Sequence, residues 1–343
     1  MTDQQADAEL ANLAVSHLQG LGVPVELVAA GAGLSAKAGK KADAQEYVVS
    51  VKRHLSIATL GVALNGLRDL ERERGMPTLL VADYVSPPLA EKLREQGHAF
   101  IDAAGNAYVQ QAGILIWVVG RKHLPSAAPA AAGRADTPVG LKILFALLCE
   151  PALANATHRE IAARAGVALG SVPAALQDLQ EQGHLAVLGK QRSLQTSRRL
   201  LDAWAQAYAR RLRPKTLKGL YTTPLFDTWE QWGLAPADGL WGGESAAQLL
   251  TQYLRPGILT IYTHRLLPPF MAKQRMSKAP DGAAERMVEC REPFWRDFSA
   301  DSRPDVVPPV LVYADLLATG ESRCIETANL IYEQYLAATF PQA

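Results

Sequence analysis

Thr157 to Gly183 reads THREIAARAGVALGSVPAALQDLQEQG, and this stretch decides the fold at the centre of the chain. Thr157 can cap a helix, with Glu160 three residues on as its capping-box partner. Ile161 and Ala162 face inward, and Gly166 closes the helix where a left-handed residue is needed. In the next helix Val172, Ala175, Leu176 and Leu179 share one face. That leaves Ser171, Ala174, Gln177 and Asp178 nearer the outside, and Gly183 stops the helix. Two helices joined by a short turn make a helix-turn-helix pattern.

Upstream, Val139, Ile143, Leu144, Leu147 and Leu148 recur at helical spacing and predict an amphipathic helix that ends before Pro151. Downstream, His184 to Leu188 reads as a strand, Gly189 to Arg192 as a turn and Ser193 to Thr196 as the return strand. These residues predict a two-stranded wing with Lys190 and Arg192 at its tip, laid along a phosphate backbone. A basic helix follows, so Thr137 to about Lys218 has the layout of a winged helix. Residues 134–218 hold 13 Lys or Arg against 6 Asp or Glu, a local balance of +7 in a chain whose net charge is +1. Arg198, Arg199, Arg210, Arg211, Arg213, Lys215 and Lys218 supply most of it, and a patch of that sign attracts phosphate in a salt-dependent way. Double-stranded DNA is the expected partner, with Arg159, Ser171, Gln177, Lys190, Arg192, Arg198 and Arg199 as contacts. Arg159 and Ser171 stand at helix starts, where side chain and backbone N–H together can meet a phosphate. The exposed start of the second helix offers Ser171, Pro173, Ala174 and Gln177 but no Arg or Lys, so bidentate reading of guanine is not available from it. Backbone binding is better supported than base readout.

Composition narrows the class. With 343 residues and 48% hydrophobic content the chain has material for two or three domains. No apolar run reaches about 18 residues, and the N-terminus MTDQQADAEL is polar and acidic, so no membrane span or leader is expected and a cytoplasmic location is the simple reading. Cys149, Cys290 and Cys324 are scattered and odd in number. They suggest neither a disulfide framework nor a zinc site, and Cys149 reads as a small buried hydrophobe. The seven histidines do not gather at ligand spacing, and no Ser, His and Asp set stands out by pattern. No metal, cofactor or catalytic residue is expected.

Residues 123–136, HLPSAAPAAAGRAD, are rich in Ala and Pro without periodicity and read as a linker. The expected organisation is therefore a mixed α/β domain over 1–122, a linker over 123–136, the winged helix over 137–218, and an α+β domain over 219–343. In the first domain a helix near Asp7 to Gln19 precedes a strand at Val23 to Ala29, a Gly/Lys-rich loop at Gly31 to Ala42 and a strand at Glu46 to Lys52. A long helix from about Ile57 to Arg74 follows, then strands at Thr78 to Ala82, His98 to Asp102, Asn106 to Val109 and Ile114 to Val119, with a helix at Pro88 to Gln96. The last domain begins irregular and Trp-rich. It carries a helix near Ser245 to Tyr253, a strand at Ile258 to Tyr262, a buried strand at Val310 to Tyr313 and an amphipathic helix from Cys324 to Ala337.

The strand Glu46-Tyr-Val-Val-Ser-Val-Lys52, set before a long helix, resembles the core of the PD-(D/E)xK nuclease fold. In that fold an acidic residue and a Lys two positions on share a strand face and, with an upstream acid, hold a divalent ion. Here the triplet is Ser50-Val51-Lys52, and a hydroxyl replaces the carboxylate that hard cations prefer. Asp43, Glu46 or Glu26 could supply oxygens, yet none has the usual spacing. A catalytically silent domain with Lys52 and Arg53 as phosphate contacts or surface charges is the better reading. Gly31 to Gly33 and Gly39 to Lys41 lack both phosphate-loop patterns and read as a surface loop. Asp102-Ala-Ala-Gly-Asn106 reads as a turn, and Glu244 or Ser245 as a helix cap.

Trp241-Gly-Gly-Glu-Ser-Ala-Ala, Val310-Leu-Val-Tyr-Ala-Asp-Leu-Leu317 and Ile325-Glu-Thr-Ala-Asn-Leu-Ile-Tyr332, taken with the linker and the winged helix, resemble the AbiEi-type antitoxins of type IV toxin-antitoxin systems. The resemblance implies a non-enzymatic transcriptional autorepressor that binds inverted repeats at its own promoter. It also implies a C-terminal domain that counteracts a nucleotidyltransferase-like toxin without stable contact; a homodimer is a further expected partner. Simpler members of that family begin with the winged helix, whereas here about 130 residues precede it. Two other readings stay open: a metal-dependent DNA nuclease served by the winged helix, and a non-catalytic interaction factor whose acidic, Trp-rich C-terminal region binds a partner.

Overall fold

Alternation along Gln45–Lys52 buries Tyr47 and Val49 on one side of the backbone and Ser50 on the other, as a strand covered on both faces requires. The computed structural model describes residues 3–20, 22–23, 25–30, 33–38, 45–52, 55–111, 114–121, 137–189, 191–265, 268–280, 286–296, 298 and 303–342. The chain divides into two compact units, Met1–Pro129 and Ala130–Ala343. The expected linker over 123–136 lies outside the described residues, as do Arg53, Asp43 and Lys190.

The first unit runs α1 (Asp3–Gly20), β1 (Val25–Ala30), β2 (Gly33–Ala38), β3 (Gln45–Lys52), α2 (Ile57–Arg74), β4 (Thr78–Ala82), α3 (Pro87–Glu95), β5 (Ala99–Asp102), β6 (Ala107–Gln111) and β7 (Ile114–Val118). Its seven strands lie side by side in chain order. The outer pairs are antiparallel, whereas β3, β4 and β5 are parallel neighbours joined by crossover helices. Ala11, Ala14, Val15 and Leu18 of α1 pack on Tyr47, Val49, Leu79, Val81, Ile101 and Val109. The alternate residues Leu80 and Phe100 are buried on the opposite face.

One expectation fails here: Gly33–Ala38 is a strand and not part of a loop. Six residue pairs tie it to β1, and the alternation Leu-Ser-Ala-Lys-Ala puts Ala36 in the core and Lys37 outside. The glycines at its ends masked that pattern. The strand β3 does carry Ser50 and Lys52 on one face, but among the described residues no three His, Cys, Asp or Glu side chains gather as a metal site. Asp102 accepts from the backbone N–H of Val85 at 2.7 Å, the backbone N–H of Asn106 at 2.8 Å and the Asn106 amide at 2.8 Å. It holds a turn together, as the sequence suggests.

The second unit begins with α4 (Pro138–Cys149), a 3₁₀ turn (Pro151–Asn155), α5 (His158–Ala165), a second 3₁₀ turn (Leu169–Ser171) and α6 (Val172–Glu181). An antiparallel hairpin of β8 (Leu185–Leu188) and β9 (Gln191–Leu194) leads into α7 (Arg198–Arg211). Next come α8 (Arg213–Thr216), β10 (Leu217–Thr222), a 3₁₀ segment (Phe226–Gln231), β11 (Leu240–Gly242), α9 (Gly243–Thr251), β12 (Ile258–Tyr262), α10 (Pro268–Lys273), β13 (Ser277–Lys278) and β14 (Met287–Arg291). The chain closes with α11 (Pro309–Leu317), α12 (Ser322–Ile331) and a π turn (Tyr332–Leu336). The strands form a mixed sheet in the order β11-β12-β14-β10-β13, in which β12 and β14 are parallel. The fold is thus mixed α/β with sheets of mixed type.

The expected buried strand at Val310 to Tyr313 is the first half of α11. Its residues from Val310 to Leu317 are all buried, so no polar face reveals the helical period, and a short apolar run cannot by itself be told from a strand. Pro309 at the first turn was the available signal. The Trp-rich stretch is also internal. Trp229 and Trp232 pack on Trp241 with ring centroids 4.8 and 6.0 Å apart, and all three are buried, so they offer no surface for a partner. Among the described residues, no helix is long and apolar enough to cross a membrane.

Candidate nucleic-acid interface

Local chemistry builds the helix pair much as the sequence implies. Thr157 Oγ1 accepts from the Glu160 N–H at 3.2 Å and caps α5. Gly166 ends it at φ 63, a left-handed conformation that only glycine adopts cheaply. Val172, Ala175, Leu176 and Leu179 of α6 are buried and the opposite side is open. Where the start of α5 meets the turn into α6, Thr157, His158, Arg159, Leu169, Gly170 and Pro173 line an open groove.

The predicted contacts fall into distinct environments. Arg159 is exposed and lines this groove, and Ser171 sits half-buried at the cap position of α6 without a side-chain cap bond. Gln177 is exposed, with its amide donating to Glu181 at 2.9 Å. Arg199 is exposed on the first turn of α7. The hairpin is tighter than expected: Leu188 pairs with Gln191, so Arg192 belongs to β9 and not to the tip. Its N–H donates to Asn155 Oδ1 at 2.7 Å and its guanidinium to the Ala156 carbonyl at 2.6 Å. Arg192 thereby fastens the hairpin to the turn before α5. Lys52 is half-buried on β3 of the other unit.

Arg198 does not belong to the surface. It is 6% exposed, donates to Asn329 Oδ1 at 2.8 Å and stacks over the Tyr332 ring at 4.2 Å, while its backbone N–H meets the Pro341 carbonyl. A guanidinium held this way cannot reach a phosphate. The physical reason lies in the helix: α7 buries Leu200, Leu201, Trp204, Ala205 and Tyr208, so it is a core helix with basic ends. Trp204 Nε1 donates to the Leu141 carbonyl of α4 at 3.0 Å, and Tyr313 of α11 donates to Asp202 at 2.6 Å.

Other parts of the positive balance are neutralised within the fold. Arg164 pairs with Glu150 at 2.8 Å, and Lys218 pairs with Glu292. Arg213 reaches Asp315 at 3.0 Å and Glu289 at 3.3 Å. This last pair belongs to a buried network that the sequence reading missed. Asp315 accepts from the Tyr208 and Tyr262 hydroxyls, each at 2.9 Å, and Arg291 holds Glu289 at 2.8 Å. Burial, with Asp315 adding, pushes both tyrosines well above the usual phenol range. For Arg213 burial alone would favour the neutral form, but Asp315 and Glu289 outweigh it and raise the pKa. No spacing rule could have found this set, since its members come from α7, α8, β12, β14 and α11. The cap expected of Glu244 or Ser245 is likewise replaced: Glu244 is buried, accepting from the Gly257 N–H at 2.7 Å and pairing with Arg323 at 2.9 Å.

No curated protein and no solved structure matches the chain. Residues 193–337, from the second strand of the hairpin through the π turn, match the family model described as "Transcriptional regulator, AbiEi antitoxin, Type IV TA system", so this segment is similar to that family of antitoxin regulators.

Proposed function

We propose that the chain is a DNA-binding transcriptional regulator and antitoxin, in which residues 137–218 form a winged helix that binds duplex DNA at the chain's own promoter. The observation that carries this reading is the exposed groove at the joined starts of α5 and α6, with Arg159 on its wall, next to a segment similar to antitoxin regulators. Helix starts present unsatisfied N–H groups and a positive dipole end to phosphate oxygens. Arg159 and Arg199 supply the exposed charge, Ser171 and Gln177 the polar groups of α6, and Lys190 continues the hairpin chemistry. Arg192 acts through the hairpin's position, and Arg198 is removed from the contact set. With few charges at the reading face, affinity comes chiefly from the backbone, and selectivity comes from DNA shape and from pairing of two copies on inverted repeats. The antitoxin role is directed at a nucleotidyltransferase-like toxin through function and not through a stable complex. The chain is non-enzymatic in this reading.

Fluorescence anisotropy on the chain's own promoter and on random duplex, across a salt series, tests it. Promoter binding about tenfold or more tighter than random binding, with a steep salt slope, is expected. The double variant Arg159→Glu/Arg199→Glu should weaken both by about tenfold or more. Retention of full affinity in that variant would sink the assignment of the surface.

A further inference from the structure

The strand β7 ends the sheet of the first unit, and among the described residues no strand lies on its outer side. Hydrogen-bond phase fixes what it offers there. The Asp102 N–H donates to the Asn106 carbonyl at 2.9 Å, and these two residues stand opposite each other in the register that pairs Phe100 with Tyr108. Bonded and non-bonded pairs alternate along an antiparallel ladder, so Tyr108 turns its N–H and C=O toward β5. Ala107, Val109 and Gln111 then turn theirs toward Val118, Ile116 and Ile114 of β7. Leu115 and Trp117 are left with backbone groups directed away from the sheet. Ile114, Ile116 and Val118 pack on the α1 side, so the side chains of Leu115 and Trp117 stand on the other face, 70% and 38% exposed. Trp117 meets the Tyr108 ring nearly at right angles, with centroids 5.7 Å apart. The Arg94 guanidinium covers part of the indole at 5.2 Å and is itself paired with Glu91 at 2.7 Å. After the strand the chain turns at Gly120, φ 92, and the Arg121 N–H donates to Asn106 Oδ1 at 2.9 Å, on the inner side of β7.

We propose that this edge is a dimer interface, at which β7 pairs antiparallel with β7 of a second copy of the chain. The strand's own symmetry selects that occupant. About a two-fold axis through Ile116, Leu115 stands opposite the partner's Trp117 and the two exchange both backbone hydrogen bonds; the mirror pair across the axis does the same. Each outward N–H and C=O is thus satisfied by the segment that offers it, which is what an isologous contact requires. The pleat places Leu115 and Trp117 of both copies on one face, so each leucine lies against the open side of an indole. Charge does not oppose the contact. Ile114–Val118 reads ILIWV without an ionised side chain, and the flanking Arg94 is already matched by Glu91. The opposite edge of the sheet shows the contrast, since β1 carries the exposed Glu26. Edge strands that stay single are guarded by charge or proline, and β7 has neither. One strand pair buries less than the roughly 1,200 Å² of stable complexes, so the dimer is reversible and concentration-dependent. It would provide the pairing of two copies on which the proposed function draws, but it stands without that reading.

Sedimentation velocity of the full chain, without DNA and from about 2 to about 200 µM, tests the interface, and a monomer–dimer equilibrium within that range is expected. Hydrogen exchange at the two ends of the range should slow several-fold at the amides of Leu115 and Trp117 in the concentrated sample, with β1 unchanged. Leu115→Glu sets a carboxylate against the partner's Trp117 and should weaken association about tenfold or more. Its melting temperature should stay unchanged, because the leucine side chain is mostly open. Leu115→Glu/Trp117→Lys places opposite charges across the axis and should associate more tightly than Leu115→Glu alone. A monomer at about 200 µM, a dimer that Leu115→Glu leaves intact, or unchanged exchange at Leu115 and Trp117 overturns the proposal. A double variant no tighter than the single one overturns the antiparallel register. Failure of the chain to hold duplex DNA bears on the proposed function alone.

Discussion

Two adjacent arginines show how far a residue's role is legible in a sequence. Arg198 and Arg199 contribute equally to a charge count, yet Arg198 is sealed against Tyr332 and Asn329 while Arg199 is open. Arg198→Ala should therefore cost about 2–3 kcal/mol in chemical denaturation, through loss of a charged hydrogen bond and a ring contact. Arg199→Ala should leave stability within about 0.5 kcal/mol and weaken duplex binding instead. The buried centre of the second unit gives a larger effect. Asp315→Ala strips both tyrosine hydroxyls and Arg213 of their shared acceptor and should destabilise by about 3–5 kcal/mol, read from the urea midpoint. In the first unit burial holds His98 below the ordinary histidine range, with Glu71 opposing and Arg68 assisting. The folded state therefore resists the proton that the unfolded chain accepts below about pH 6.5. Stability from this group is fully present above that pH and falls as the solution is acidified through it, levelling off below the folded-state pKa. Urea midpoints at about pH 7 and about pH 5 should differ less in His98→Gln than in the natural chain.

Elements were legible where polar and apolar residues alternate with a clear period, and hidden where they do not. The helices α5 and α6 have one buried and one open face, with capping residues at the ends, and their sequence announces them. The helix α11 is buried all round, so its period is invisible, and β2 is short, alanine-rich and bounded by glycines. The hairpin tip was misplaced because basic residues at Lys190 and Arg192 suggested a longer turn, whereas Gly189 at φ 63 permits a two-residue connection. A glycine with two duties offers a test at this scale. Gly166 is left-handed and also lies against the Phe294 carbonyl, so Gly166→Ala should cost more than the roughly 1 kcal/mol of backbone strain alone. A melting temperature unchanged by that substitution would contradict the packing described for the end of α5.

Across the second unit, α7 joins what the sequence suggests are separate domains. It carries the hairpin at its start, receives α4 through Trp204 and α11 through Tyr208 and Asp202, and so belongs to one core. Ala130–Ala343 is accordingly expected to fold when expressed alone, with dispersed amide signals by NMR and a cooperative melt. A fragment stopped after Lys218 would expose the face of α7 that meets α11 and should aggregate or melt without cooperativity. The family match begins at Ser193, inside β9, so the matched segment starts on a strand whose pairing partner lies upstream of the match. Domain boundaries drawn from composition could not show this, because linker-like composition ends before Thr137 and nothing later marks a break.

The distribution of indole rings gives the molecule a built-in optical label. Of its six tryptophans only Trp117 belongs to the first unit, where it is partly open beneath the Arg94 guanidinium. The five others are buried in the second unit. Intrinsic emission excited at the red edge therefore reports almost wholly on the second unit, and replacing Trp117 by Phe would make that report exclusive. Trp295, packed against Phe145 of α4, places one of these lamps against the helices that precede the hairpin.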